Sequence, residues 1–148
     1  RGHTIANHTY THAIFKGLYD SVDTFMDAVD KQHEQIINQT NGYIPNILRF
    51  PGGSGTAGSL KYPIIEKLKE KGYGWVDWTA HDGDGGNLKT VSQAWDTLKK
   101  SIDNNIEVIL FHDYSKITTD ILPEVIEYLQ GNGYILLPLF YESNMINK

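Results

Sequence analysis

The chain has 148 residues, no cysteine and a formal net charge of -5 at pH 7. This length suffices for one domain with a substantial apolar core. The lack of cysteine excludes disulfides, thiolate nucleophiles and cysteine metal sites, and the negative charge argues against a nucleic-acid surface, which needs clustered Lys and Arg. No apolar run approaches the ~20 residues of a membrane span. The first residues lack the pattern of a signal peptide, so we expect an excised domain.

Apolar spacing predicts helices and strands in alternation. Helices are expected where apolar residues recur every three or four positions, and strands where short apolar runs are bounded by turn residues. The predicted helices cover residues 20–40, 59–71, 90–104 and 119–130, and the predicted strands cover 43–50, 74–79, 106–112 and 134–139. Ser59 is the expected N-cap of the second helix, and the run 106–112 is expected to be buried on both faces. The alternation predicts an α/β protein with a parallel sheet.

Two histidines, His8 and His12, lie four residues apart near the start of the chain. In an extended strand they would be ~13 Å apart, at about 3.3 Å per residue. One metal ion needs both ring nitrogens at about 2.0–2.1 Å. The backbone must therefore curl between them if they share an ion. The alternative is a pair of histidines at the end of a strand with no ligand.

Further candidate functional residues lie at the ends of predicted strands, where the sites of parallel sheets and barrels are found. Arg49 precedes the Pro/Gly turn at 50–53, Asp84 lies in the acidic turn at 82–85, and His112 ends an apolar strand. The alternatives are a surface arginine, a solvated Asp/Gly turn and a core histidine. We interpret His33, on the apolar stripe of the first helix, as a packing residue.

Taken in order along the chain, the segments that contain these candidate residues resemble four motifs of the polysaccharide deacetylases of carbohydrate esterase family 4, the nodulation-protein-B homology domain. The matching segments are residues 2–12, 49–52, 78–85 and 110–112. The family's first motif, Thr-Phe-Asp-Asp-Gly, carries its catalytic base and a metal-binding aspartate, and it has no counterpart in this sequence. The resemblance identifies residues 1–148 as the C-terminal three-quarters of such a domain.

The resemblance implies roles for the first two matched segments. His8 and His12 would bind a divalent metal, expected to be zinc. Arg49 would hold the catalytic aspartate in place, and the backbone N–H of Gly52 would help to bind the oxyanion. Many relatives have tyrosine at the position of Gly52. Glycine keeps the backbone N–H donor, but it lacks the tyrosine ring that would form one wall of the sugar site.

The resemblance also implies roles for the two later segments. His112 would be the general acid that protonates the leaving amine, and Leu110 would line the acetyl pocket. Asp84 takes the position of the aspartate that pairs with this histidine, with Asp82 as a rival for the role. Trp78 is a candidate for stacking on a sugar. This segment departs from the family pattern at two positions, which hold His81 and Gly85.

The reaction implied is hydrolysis of N-acetyl groups from a GlcNAc-type polysaccharide, peptidoglycan or a chitin-like polymer, outside the cell or at its wall. The alternatives are a catalytically inactive carbohydrate-binding pseudoenzyme, favoured by the departures at Gly52, His81 and Gly85, and an unrelated metal-dependent α/β hydrolase.

The fold implied is an irregular (β/α) barrel, here incomplete on its N-terminal side. Because an open edge exposes unpaired backbone groups, we expect the chain to need the missing segment or a second copy, and to be inactive alone.

Overall fold

The computed structural model describes residues 2–141 and divides into two compact units. The first unit contains the described residues up to Asp77 together with those from Pro138 onward. The second unit is Trp78–Leu137. None of the described helices is long and apolar enough to cross a membrane.

The first unit places two helices against a short parallel ladder. Its elements are a 3-10 helix at Ile14–Lys16, α1 at Val22–Gln39, β1 at Ile47–Leu48, a second 3-10 helix at Ser54–Leu60, α2 at Lys61–Glu70 and β2 at Gly74–Trp75. β1 pairs in parallel with β2, and Asn7 forms a further parallel bridge to Leu48. This ladder fixes the segment after Asn7 beside the carboxyl end of β1.

The core of the first unit follows from the apolar spacing of its helices. Ser21 caps α1 by accepting a hydrogen bond from Thr24 N–H, a favoured arrangement at a helix start. Phe25 is fully buried and stacks on Phe50, which directly follows Arg49. The remaining core residues come mainly from α1, β1 and α2, namely Leu18, Met26, Val29, Leu48, Ala57, Ile64, Ile65, Leu68 and Tyr73.

The second unit contains a separate parallel ladder and two helices. Its elements are β3 at Ala80–His81, α3 at Val91–Ser101, β4 at Ile109–Leu110 and α4 at Lys116–Gly131. β3 pairs in parallel with β4. α3 begins with a capping box between Thr90 and Gln93, and its apolar face packs on that of α4. The buried core is Ala94, Leu98, Ile121, Val125 and Leu129.

The strands pair in parallel as predicted, but they are much shorter than predicted, and β3 lies outside the predicted strands. The run 106–112 is not buried on both faces, because Ile106 is 60% exposed and Glu107 accepts hydrogen bonds from the N–H groups of Asp103 and Asn104. These bonds turn the chain before β4. Within residues 2–141 the ladders form two separate two-stranded sheets, so these residues show parallel strand pairs but no barrel closure.

Two other local predictions were wrong. Ser59 does not cap α2, because the preceding 3-10 helix delays the start of α2 and its N-cap is Leu60. Residues 134–139 do not form a strand. There the Tyr134 N–H bonds back to Leu129 O, and the apolar run that suggested a strand leaves Ile135 and Leu137 81% and 79% exposed.

Candidate functional site

The loop that carries His8 and His12, in the first unit, is anchored by the buried Asn7. The Asn7 amide donates to Val29 O at 2.9 Å and accepts from Thr9 N–H at 2.9 Å. Thr9 and His12 both have left-handed backbone, with φ of 62° and 50°, so the chain curls instead of extending. The ring centroids of His8 and His12 are consequently 4.8 Å apart. This is the curl that a shared ligand requires.

His8 is held at both ring nitrogens by Arg49. Nδ1 of His8 lies 2.7 Å from the carbonyl oxygen of Arg49, and Nε2 lies 2.7 Å from Nη2 of the same residue. A carbonyl oxygen only accepts and a guanidinium only donates. His8 is therefore the neutral tautomer with its proton on Nδ1 and its lone pair on Nε2.

The contact at Nδ1 is the kind that a metal-binding histidine makes. An imidazole that binds a metal donates its other ring N–H to a carbonyl or carboxylate, as His8 does. The lone pair on Nε2 accepts from the Arg49 guanidinium, which a bound ion would have to displace, and the ring of His12 lies beside that of His8. His8 and His12 thus fit as two ligands of a divalent ion. In the part of the chain that the structure describes, no group of three or more His, Cys, Asp or Glu side chains is arranged to hold one.

The charge around Arg49 is balanced by Asp77, which is 1% exposed. Burial lowers the pKa of the Arg49 guanidinium, and the charge of Asp77 opposes that shift. Asp77 accepts hydrogen bonds from Ser54 N–H at 2.8 Å and from the Ser54 hydroxyl at 2.6 Å. The two hydrogen bonds from Ser54 thus hold in place the Asp77 carboxylate, whose charge acts on the arginine.

The turn after Arg49 has a shape that requires glycine at position 52. Gly52 is exposed and has a φ of 72°. A Cβ there would lie 2.8 Å from Thr56 Oγ1 and 3.2 Å from Ile14 Cδ1. Thr56 also donates to Gly52 O at 2.8 Å. The tyrosine common in the family would not fit this turn without rearrangement.

In the second unit the structure places Asp84 against His112. Nδ1 of His112 is 2.7 Å from Oδ1 of Asp84, and the backbone N–H of His112 donates to Oδ2 at 2.6 Å. Burial alone raises the pKa of Asp84, but the bonds from His112 and from Thr118 outweigh it, and the pKa lies below its usual value. The carboxylate is thus held ionised against a half-buried imidazole at the carboxyl end of β4.

Asp82, the rival candidate, has a different environment. It is fully buried, its Oδ1 accepts from Asp84 N–H at 3.1 Å, and its Oδ2 lies 2.6 Å from the Thr118 hydroxyl. Burial raises the pKa of Asp82, and the charge of Asp84 acts in the same direction, while the Thr118 hydrogen bond opposes both. Asp82 therefore supports the turn and does not contact His112 through any hydrogen bond described.

The surroundings of His112 differ from the family pattern on one side. A Cβ at Gly85 would lie 3.1 Å from Cε1 of His112, so a side chain at this position would press on the ring. Tyr114 instead places its ring 5.0 Å from that of His112 and is 72% exposed. Leu110, in β4, and Trp78 are both half-buried.

The sequence interpretation missed three residues that the structure connects to these groups: Ser54, Asp77 and Thr118. Asp77 could have been noticed, because it interrupts the predicted strand 74–79 with a carboxylate, and carboxylates are rarely buried without a partner. Ser54 and Thr118 carry no such signal, because serine and threonine near helix starts are ordinary capping residues.

Comparison with known proteins identifies the relatives of this fold. Residues 1–73 match the family model described as polysaccharide deacetylase. A peptidoglycan-N-acetylglucosamine deacetylase of Bacillus cereus is 28% identical over 156 residues, covering 99% of this chain and 52% of that protein. The catalytic domain of a peptidoglycan N-acetylglucosamine deacetylase from Eubacterium rectale is 26% identical, with a TM-score of 0.89 over 99% of this chain and 70% of that one.

These matches support the sequence-based identification of the chain as a polysaccharide deacetylase segment of carbohydrate esterase family 4. It is a homologue of the peptidoglycan-N-acetylglucosamine deacetylases and spans about half the length of the curated relative it matches. A structure described as a family 4 pseudoenzyme is also similar, at 23% identity and a TM-score of 0.75 over 90% of this chain and 45% of that one. At that identity the similarity shows the fold alone, so the fold does not separate an enzyme from a pseudoenzyme.

Proposed function

We propose that this chain forms part of a metal-dependent hydrolase that removes N-acetyl groups from a GlcNAc-type polysaccharide, peptidoglycan or a chitin-like polymer. The observation that carries the proposal is the Asp84–His112 pair, a buried carboxylate that holds a half-buried imidazole at the end of a strand. The names of the Bacillus cereus and Eubacterium rectale relatives support the choice of peptidoglycan.

In this proposal His112 is the general acid. As the C–N bond of the tetrahedral intermediate breaks, Nε2 of the imidazolium gives its proton to the leaving amine nitrogen. Asp84 accepts from Nδ1 at 2.7 Å and therefore fixes the orientation of the ring, as the carboxylate of a catalytic triad does. Leu110, two residues earlier, is proposed to line the acetyl pocket, and Trp78 to contact the sugar.

The first unit contributes the groups that handle negative charge and metal. The backbone N–H of Gly52 is proposed to donate to the oxyanion, and Arg49 to hold the carboxylate that serves as base. His8 and His12 would hold a divalent ion, proposed to be zinc. Such an ion, when bound, polarises the amide carbonyl and activates water.

The second candidate function is a carbohydrate-binding protein without turnover. It is favoured by the glycine at position 52, where the left-handed backbone and the close approach of Thr56 disfavour any side chain, and by the contact of Arg49 with the lone pair of His8. Under this alternative the chain binds acetylated oligosaccharide and releases no amine.

We also propose that the protein acts outside the cell or at its wall, where the proposed polymers occur, and that a segment with the first motif, or a second copy, pairs with the open edge.

An assay of amine release from N-acetylated chito-oligosaccharides and from peptidoglycan tests the function. It should use this chain alone and a protein in which a Thr-Phe-Asp-Asp-Gly segment precedes it, each with and without added zinc. Release by the second protein, dependent on zinc, is expected. Binding without release by either would replace this proposal with the carbohydrate-binding alternative.

A further inference from the structure

Behind the Asp84–His112 pair lies a buried hydroxyl that contacts two carboxylates. Thr118, in the first turn of α4, is 2% exposed. Its Oγ1 lies 2.6 Å from Oδ2 of Asp82, 3.0 Å from Oδ2 of Asp84 and 2.8 Å from the hydroxyl of Ser115. All of these groups belong to the second unit.

These contacts require one more proton than the group would contain if Asp82 and Asp84 were both ionised. A threonine hydroxyl donates one hydrogen and accepts at two lone pairs, and an ionised carboxylate only accepts. If Asp82 and Asp84 were both ionised, Thr118 could donate to one of them and would face the other lone pair to lone pair. Such a buried, unmatched contact is costly.

A proton on Asp82 completes the set. Asp82 Oδ2–H and the Ser115 hydroxyl then both donate to Thr118, and Thr118 donates its single hydrogen to Oδ2 of Asp84. Asp84 in turn accepts three bonds, one from Thr118 and two from His112. Every member has its full complement of partners, and the charge of the group stays on the carboxylate beside His112.

We propose that Thr118 is a positioning residue for His112, and that it acts through Asp84 while Asp82 is held in its neutral carboxylic acid form. The role concerns the same residues as the proposed deacetylase reaction and rests on that function. Full burial of Asp82 and the adjacent charge of Asp84 both favour the neutral form. The result is a carboxylate fixed at both oxygens, which in turn fixes the ring that it contacts.

Matched substitutions separate a hydroxyl effect from a packing effect. Thr118→Val keeps the shape and removes the donor, while Thr118→Ser keeps the donor and removes a methyl group. The measurement is the NMR signal of the His112 Nδ1 proton and its exchange with solvent, which does not depend on turnover. We expect exchange about tenfold faster in Thr118→Val, from loss of one hydrogen bond of roughly 1.4 kcal/mol, and wild-type exchange in Thr118→Ser. Thr119→Val, the exposed neighbour on α4, is the control.

Wild-type exchange in Thr118→Val, or equal acceleration in both Thr118 variants, would overturn the proposal. Infrared spectroscopy at neutral pH tests the proton directly and covers the case in which Thr118→Val does not fold. The wild type should show a carboxylic acid carbonyl band that Asp82→Asn lacks, and Asp82→Asn should keep the His112 proton signal, since its amide can donate to Thr118. Identical infrared spectra, or loss of the proton signal in Asp82→Asn, would refute the assignment. If these signatures hold and no amine is released, only the proposed function fails.

Discussion

Arg49 binds both nitrogens of the His8 ring, with its carbonyl oxygen accepting from Nδ1 and its Nη2 donating to Nε2, each at 2.7 Å. The backbone contact sets the tautomer that a metal ligand needs. The side-chain contact fills the lone pair that the metal would use. The same guanidinium that the family resemblance assigns to a catalytic carboxylate is therefore a competitor for the metal site, and a carboxylate that engaged it would release His8.

The first prediction concerns His8 as a metal ligand. Because His8 and His12 are close and His8 has the required tautomer, His8→Ala should lower zinc affinity by about tenfold or more. Removal of a residue that only supports a metal ligand already lowers affinity by about tenfold, and removal of the ligand itself should lower it at least as much. Isothermal titration of zinc into wild type and variant measures this. His3→Ala, an exposed histidine five residues earlier, is the matched control and should bind as wild type. Equal affinity in all three proteins would rule out the ligand.

The second prediction concerns the competition between Arg49 and the metal. Arg49→Met removes the donor to Nε2 while keeping a long apolar stem. A charged hydrogen bond contributes roughly 1.5–3 kcal/mol, so zinc affinity should rise about tenfold or more. Lys16→Met removes an exposed positive charge that follows His12 in sequence and controls for a general charge effect. Unchanged or weaker zinc binding in Arg49→Met would show that the guanidinium does not compete.

The third prediction concerns His112 as general acid. In a protein that also carries the first motif, His112→Asn should reduce kcat by about two to four orders of magnitude, with the unfolding transition little changed. His33→Asn serves as the comparison, because His33 bonds to Tyr73 in the first unit and has no proposed role in catalysis. Amine release from acetylated chito-oligosaccharides gives the rates. A His112→Asn enzyme that keeps its rate would remove this role.

The fourth prediction concerns pH. The pKa of Asp84 lies below its usual value in the folded chain, so its stabilisation is present above the ordinary aspartate pKa of about 3.9 and is lost as the pH falls through the folded pKa. Asp84→Asn should therefore destabilise the protein by about 1–3 kcal/mol near pH 6, and by progressively less below pH ~4.

The matched control for this prediction is Asp82→Asn. Burial raises the pKa of Asp82, so the contribution of Asp82 has the opposite sign: it is present at low pH and lost as the pH rises through the folded pKa. Asp82→Asn should not destabilise the protein at pH 6. Urea unfolding at several pH values measures both variants. A constant difference between Asp84→Asn and wild type from pH 6 to pH 3 would contradict the expected linkage.

The fifth prediction concerns Tyr114 as a sugar-contacting residue. Its exposed ring lies 5.0 Å from the ring of His112, and Gly85, which is close to the same imidazole, has no side chain. Tyr114→Ala should raise KM for acetylated oligosaccharides about fivefold, as expected for loss of an aromatic contact of roughly 1 kcal/mol, and should leave kcat within about twofold. Tyr62→Ala, a similarly exposed tyrosine, should leave KM unchanged. A fall in kcat at constant KM would assign Tyr114 to the chemistry instead.

Local signals in the sequence determined the four helices and the order of the candidate motifs. Helix α3 begins where Thr90 and Gln93 form a capping box, and the apolar positions of α1 that the spacing marked as inward, such as Phe25 and Val29, are buried. The helices depend on residues within a few positions of one another, so the sequence contains what they require. The curl between His8 and His12 was predicted only on the condition that they share an ion, and in the structure Asn7 anchors it to Val29, 22 residues away.

Other features depend on residues far apart in the chain, and only the tertiary structure decided them. The run 106–112 was predicted to be a buried strand, but the hydrogen bonds of Glu107 turn its first residues out to solvent. The contact of Arg49 with His8 and the position of Thr118 between two aspartates join segments more than 30 residues apart. Such contacts form because burial removes water from polar groups, which must then find partners in the fold, and a local pattern does not specify which partners those are.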